Sequence, residues 1–263
     1  MELRRLDDYQ SWQVSHAGST ILIDPWLTPE PITGSFRRIH SPGFREIRDL
    51  DAERLDAILL CTAVNDHTRP QTLMALAQLT PQPTACGPQA AMRKARQAGL
   101  ANCRTMRPGH MHEWTTPQGG RMRATATRTG LPLGLIAVGY LVEAWTSEGA
   151  SAGRIWIEPH QPTEDVAASV SPIDVALLPC QSVTAVIMPV TAGPSTSARA
   201  ARRSHARVVV PTATDPQRDM SGWQRAAYRV TGGSSSLQAL LGTGLTVLTM
   251  ASGDLHELTG TAS

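Results

Sequence analysis

Residues 59–67 read Leu-Leu-Cys-Thr-Ala-Val-Asn-Asp-His. A compact apolar run, Leu55–Cys61, breaks here into a polar turn that ends on an acid beside an imidazole, Asp66-His67. A carboxylate next to a histidine can orient and polarise the ring, which is what a general base needs, and either group can also ligate a metal. A structural reading stands beside this one. An aspartate on such a turn accepts backbone N–H bonds, and a histidine can simply be held by it. A second pair, Glu158 and His160, follows the run Arg154–Glu158. Two residues apart in extended chain, both side chains point to one side and could face a cleft. Cys180 follows the apolar strand Ile173–Leu178 and its stop, Pro179. It reads either as a small buried thiol or as a nucleophile activated by His67 or His160. His110 and His112 alternate and could share a face and bind a metal, or stand on a surface loop. Trp26, in Ile-Asp-Pro-Trp, reads as a wall of the pocket mouth.

These residues need strand ends to hold them. Ser11–His16 and Thr20–Asp24 are β-prone runs split by Ala17-Gly18-Ser19, which predicts a hairpin. Residues 27–50 have no clean period and predict a long loop. Leu55–Cys61 predicts a buried strand, and Pro70 opens a helix over Gln71–Leu79. Thr84–Cys86 and Cys103–Met106 predict short strands around a helix at Pro88–Ala98, with Gly99 as its cap. Arg121–Thr127, Ala137–Trp145 and Arg154–Glu158 alternate as strands do. Short helices at Pro162–Ser169, Ser195–Ser204 and Ser234–Leu241 intersperse with strands at Ile173–Leu178, Val208–Val210 and Leu245–Met250. Serine caps explain the helix starts after Gly193 and Gly232, and neither carries the lysine of a phosphate loop. Two similar halves, each strand-rich and then mixed, predict a single domain over 1–263: two sheets face to face with helices outside.

Composition bounds the function. With 24 Lys+Arg against 22 Asp+Glu the chain has a net charge of +2, and no basic stripe points to nucleic acid. No run approaches the roughly 18 apolar residues of a membrane helix, and the first residues have no apolar signal core. A cytoplasmic protein with a small-molecule substrate is expected. Four separated cysteines without a C-x-x-C pair fit reduced thiols. The Arg- and Ala-rich, lysine-poor composition is of the high-GC actinobacterial kind and associates the chain with specialised metabolism.

The landmarks in order are Ile23–Trp26, the strand 55–60 leading to Asp66-His67, Arg107-Pro108-Gly109 before a strand pair, Gly139-Tyr140, Gly153–His160, Ile173–Pro179 and Val208–Pro211. Over nearly the whole chain this set resembles the metallo-β-lactamase fold superfamily, most closely its lactonase-like branch with plant and cyanobacterial members. The resemblance implies an α/β fold, a four-layer αββα sandwich. It implies a buried support at Asp24 and an outer turn at His110 and His112. It also implies a metal turn, His-x-His-x-Asp-His, in which alternate imidazoles face one zinc and the Asp-His pair reaches a second. Here those positions hold Thr62, Val64, Asp66 and His67. No histidine stands near 128 or at 212, where further ligands would fall, and Glu158-Pro159-His160 replaces the Gly-Asp-Thr of the bridging aspartate.

The expectation is therefore an enzyme without the usual dinuclear zinc centre and with no cofactor. Asp66, His67, Glu158, His160 and Cys180 are its catalytic candidates. It would carry out hydrolysis, a lyase step or a cyclisation on a small organic molecule. The alternatives are a hydrolase of esters or lactones with one weakly held zinc, iron or manganese ion on Asp66, His67 and His160, and a non-catalytic binding protein that kept the fold.

Overall fold

The computed structural model describes residues 1–28, 54–214 and 222–258, so the loop expected over 27–50 lies almost wholly outside the described residues. The hairpin forms as expected. Strands β2 (Trp12–His16) and β3 (Ser19–Ile23) pair antiparallel around Ala17 and Gly18, at φ 49° and 79°. Two consecutive positive φ values give the turn whose twist matches the flanking strands. On one side of the hairpin lies β1 (Glu2–Arg5), itself paired with the late strand β17 (Leu255–Glu257). On the other side β4 (Leu55–Leu59), β5 (Thr84–Gly87) and β6 (Cys103–Thr105) add in parallel. Helices α1 (Pro70–Leu76) and α2 (Gln89–Gln97) make the crossovers.

The second sheet runs β16 (Thr246–Val247), β14 (Val208–Thr212), β11 (Val175–Pro179), β10 (Ser151–Ile157), β9 (Val138–Trp145), β8 (Arg121–Arg128) and β7 (Met111–Thr115). Its helices are α3 (Glu164–Val170), α4 (Pro194–Arg203) and, after α5 (Gly222–Ala227), α6 (Ser234–Leu241). A third, small sheet of β12 (Gln181–Ala185), β13 (Met188–Thr191) and β15 (Tyr228–Gly232) has no counterpart in the sequence-based expectation. His112 lies in β7, so the outer turn expected there is a strand.

Strand alternation sorts the side chains into layers. Ile21, Ile23, Ala57, Leu59 and Cys61 join the cluster between the two large sheets, together with Ile155, Ile157, Val175 and Leu177. Leu22, Ile58 and Leu60 point the other way, under α1 and α2 with Leu73 and Met92. Ala176, Leu178 and Val209 face α3, α4 and α6. The result is a four-layer αββα sandwich. Among the described residues no helix is long and apolar enough to cross a membrane.

Candidate active site

The carboxyl ends of β3, β4, β10 and β14 gather at one edge of the sandwich, where loops can carry polar side chains without breaking the core. Asp24, one residue past β3, takes a left-handed conformation at φ 45°, which Asp tolerates better than most residues. This breaks the strand's alternation and brings the buried carboxylate under the next turn. Oδ1 accepts the backbone N–H of Cys61 at 2.8 Å, and Oδ2 contacts His67 Nδ1 at 2.7 Å. The turn 62–68 is closed by the N–H groups of His67 and Thr68 on the carbonyl of Val64.

His67 is thereby fixed with Nε2 pointing onward. That atom lies 3.1 Å from Nε2 of His160, the ring centroids are 4.6 Å apart, and both residues are buried. Burial opposes a charge on His67, but Asp24, Asp66 and Glu158 outweigh it and lift the imidazole to about 9. His160 goes the opposite way: burial, and then the charge on His67, hold it well below the ordinary value. The two rings therefore carry one positive charge, on His67, with His67 Nε2–H donating to His160 Nε2.

Glu158 stands behind His160. Its Oε1 accepts Thr129 Oγ1–H at 2.8 Å and the backbone N–H groups of His160 and Gln161 at 3.0 and 3.2 Å. Burial pushes the carboxyl up to about 7 against these bonds. Its Oε2 and His160 Nδ1 have no hydrogen-bond partner among the described residues. Gly139 makes room for this arm, because a Cβ there would stand 2.9 Å from Glu158 Oε2 and 2.7 Å from the carbonyl of Ile157.

Asp66 connects this buried array to open space. Its Oδ2 lies 3.8 Å from His67 Nε2 and accepts Tyr9 Oη–H at 3.2 Å, while its carbonyl accepts Gln10 Nε2–H at 2.9 Å. Asp66 and Tyr9 line a cleft of about 260 Å³ with Val64, Leu133 and Ile136, and the third sheet closes the far wall with Val183, Met188 and Tyr228.

The sequence-predicted residues do not all meet. Asp66, His67, Glu158 and His160 come together. Cys180 does not: it has the strand parity of Ala176 and Leu178 and joins the outer cluster with Trp156 and Leu237. Its sulfur lies 3.7 Å from Ser234 Oγ, and burial raises its pKa, so neither position nor ionisation suits a nucleophile. That alternation could have been counted from Ile173–Leu178. Trp26 is buried against Tyr9 and Ala213 instead of lining the cleft, and Tyr9 takes the place expected for it. His110 is exposed, while His112 stacks near Trp114 at 5.3 Å. Tyr9, Gln10, Thr129 and the third sheet were missed. Tyr9 and Thr129 lie in segments whose pattern carries no chemical signal.

The donor set does not fit the metal pair that the resemblance implies. Thr62 Oγ1 donates to the carbonyl of Ile136, Val64 is half exposed, and Thr212 Oγ1 accepts Trp12 Nε1–H at 3.0 Å. Asp66, His67 and His160 do not form a group with mutually close ligand atoms; among the described residues only Asp24, Cys61 and His67 do, within 4.8 Å. That trio is a poor cage. Both oxygens of Asp24 are engaged, and burial, with Asp24 beside it, holds the Cys61 thiol well above its usual range, against the thiolate a metal requires.

The sequence matches the family model described as "Beta-lactamase superfamily domain" over residues 7–213. No curated protein matches it. Several solved structures share the fold. The isothiocyanate hydrolase from Delia radicum gut bacteria is 16% identical with a TM-score of 0.68, over 99% of this chain and 100% of that one. Igni18, a metallo hydrolase from the hyperthermophilic archaeon Ignicoccus hospitalis, is 14% identical with a TM-score of 0.65, over 98% and 97%. CmlA, a diiron β-hydroxylase from Streptomyces venezuelae, is 14% identical with a TM-score of 0.69, over 98% of this chain and 54% of that one.

Proposed function

This chain belongs to the β-lactamase superfamily, and from that premise we propose that it is an enzyme of the lactonase-like branch with a degenerate metal turn, acting by acid/base chemistry on a small organic molecule. The observation that carries the reading is the His67–His160 contact at 3.1 Å, set between the carboxylates of Asp24 and Glu158 and beside the cleft at Asp66. Asp24 holds the His67 ring and its charge. His67 and His160 hold a proton away from water, and Glu158 accepts or releases one near neutrality. Asp66 meets the substrate, and His67, 3.8 Å behind it, exchanges a proton with it. Hydrolysis, elimination and cyclisation all need one proton removed and one delivered, hydrolysis with a water molecule admitted as the nucleophile and the other two with water kept out. The substrate is a small molecule, the site needs no dinuclear zinc, and the role is in the cytoplasm, in specialised metabolism.

A second reading, one zinc, iron or manganese ion on Asp66, His67 and His160, draws on the same distance. Two imidazole nitrogens on one tetrahedral zinc stand roughly 3.3 Å apart. A panel of esters and lactones separates the readings. Acid/base turnover survives a chelator and is lost in His67→Ala. Turnover that a chelator abolishes and added metal restores overturns the first reading for the second. A panel that gives no turnover favours a binding protein that kept the fold.

A further inference from the structure

The cleft at Asp66 has walls of one kind and a floor of another. Val64, Ile136 and Met188 line it and are 50%, 52% and 46% exposed, from three separate segments of the chain. Half-exposed aliphatic side chains converging on one opening mark a place where an apolar body is covered. The neutral polar groups along it are Tyr9, Asn65, Thr191 and Tyr228, and among the described residues Asp66 is its one charged lining residue. Asp66 Oδ1 is shielded from solvent and has no hydrogen-bond donor among the described residues, while Oδ2 has Tyr9. The carboxylate therefore keeps unused acceptor capacity beside the cleft, and a charged partner there would offset its negative charge.

Two nearby cationic groups, Lys94 and His67, lie off the cleft. Lys94, the chain's only lysine, donates its Nζ hydrogens to the carbonyl of Ala63 and to Asn65 Oδ1, and it does not line the cleft. His67 lies 3.8 Å from Asp66 and does not line it either. A carboxylate-bearing ligand would thus meet Asp66 with no counter-charge among the described lining residues, whereas an ammonium would pair with the Asp66 carboxylate.

We infer that this cleft selects small molecules with an apolar body and a basic, ammonium-bearing head, the head on Asp66 and the body against Val64, Ile136 and Met188. The inference rests on the reading of this cleft as the substrate site, and it names the class of molecule that site takes. The volume of about 260 Å³ suits a short alkyl chain or a single ring.

Calorimetric titration of the full chain with hexylamine, hexanol and hexanoate tests it. None of the three carries a scissile bond, so binding is read apart from turnover. Hexylamine is expected to bind at least about tenfold more tightly than hexanoate, with hexanol between them. Asp66→Asn, nearly isosteric, should bring the three within about threefold of one another. Ile136→Gln, at a half-exposed position where folding is little affected, should weaken hexylamine and hexanol alike through the lost apolar wall. Hexanoate binding as well as hexylamine, an order of affinity unchanged in Asp66→Asn, or no binding by any of the three overturns the inference. Selective amine binding in a protein that turns over none of the ester panel keeps the ligand class and removes the acid/base reading.

Discussion

His67 and His160 face each other with their Nε2 atoms 3.1 Å apart in a site closed to solvent, one imidazole raised to about 9 and the other held well below its usual value. Two neutral rings could share a hydrogen bond there, but the carboxylates of Asp24, Asp66 and Glu158 select the cationic form of His67.

The pH dependence of stability follows from that shift. A histidine raised in the fold contributes stability that is complete below its unfolded value of 6.5 and is lost as pH rises through about 9. Glu158 titrates near 7 and is almost fully ionised above about pH 8, and His160 titrates lower still, so from about pH 8 to 9 His67 is the member of this cluster that changes charge. The wild-type Tm should fall across that window relative to His67→Gln, measured in parallel. Parallel curves would show that His67 is neutral in the fold.

Loss of His67 should remove turnover by two to four orders of magnitude on any substrate found, the usual scale for a general acid or base. Asp24→Asn keeps the shape, because Oδ1 can still accept the Cys61 N–H, but it removes the charge beside Nδ1. Its rate should drop, with the optimum moving to lower pH as the His67 pKa falls. A pH–rate profile on both variants checks this, and an unchanged profile in Asp24→Asn contradicts the proposed role of the carboxylate.

Gly139→Ala should cost about 1–3 kcal/mol, the usual penalty for forcing a group into a filled interior. The new methyl would stand 2.7 Å from both the Ile157 carbonyl and Thr127 Oγ1, and 2.9 Å from Glu158 Oε2. Urea denaturation measures the loss, and a neutral result would mean that the Glu158 arm moves freely.

Cys180→Ala should leave turnover essentially unchanged, and the native thiol should react slowly with iodoacetamide, since it is buried with a raised pKa. Rapid alkylation coupled to loss of activity would return Cys180 to the site.

Much of the fold could be read from the chain because its strands are short apolar runs with turn residues between them. The hairpin at Ala17-Gly18, the buried run at 55–59 and the helix start at Pro70 each follow from local chemistry. β12, β13 and β15 could not be read this way. Gln181–Ala185 and Tyr228–Gly232 are mixed in polarity, and β12 and β15 become strands by pairing with each other across more than forty residues of chain. That unread sheet supplies the far wall of the cleft.

The sequence by itself determined the layers, through the two-residue period that sends Cys61 inward and Leu60 outward, and it determined which titratable residues stand at strand ends. It left the partners of those residues open. The tertiary structure decided that Asp24 turns beneath His67, that His160 meets His67 from the loop after β10, 93 residues away, and that Cys180 faces the helices. Side-chain periodicity is local and is written in the order of residues. The protonation of a buried imidazole depends on charges that only the packing of two sheets brings within a few ångströms of each other.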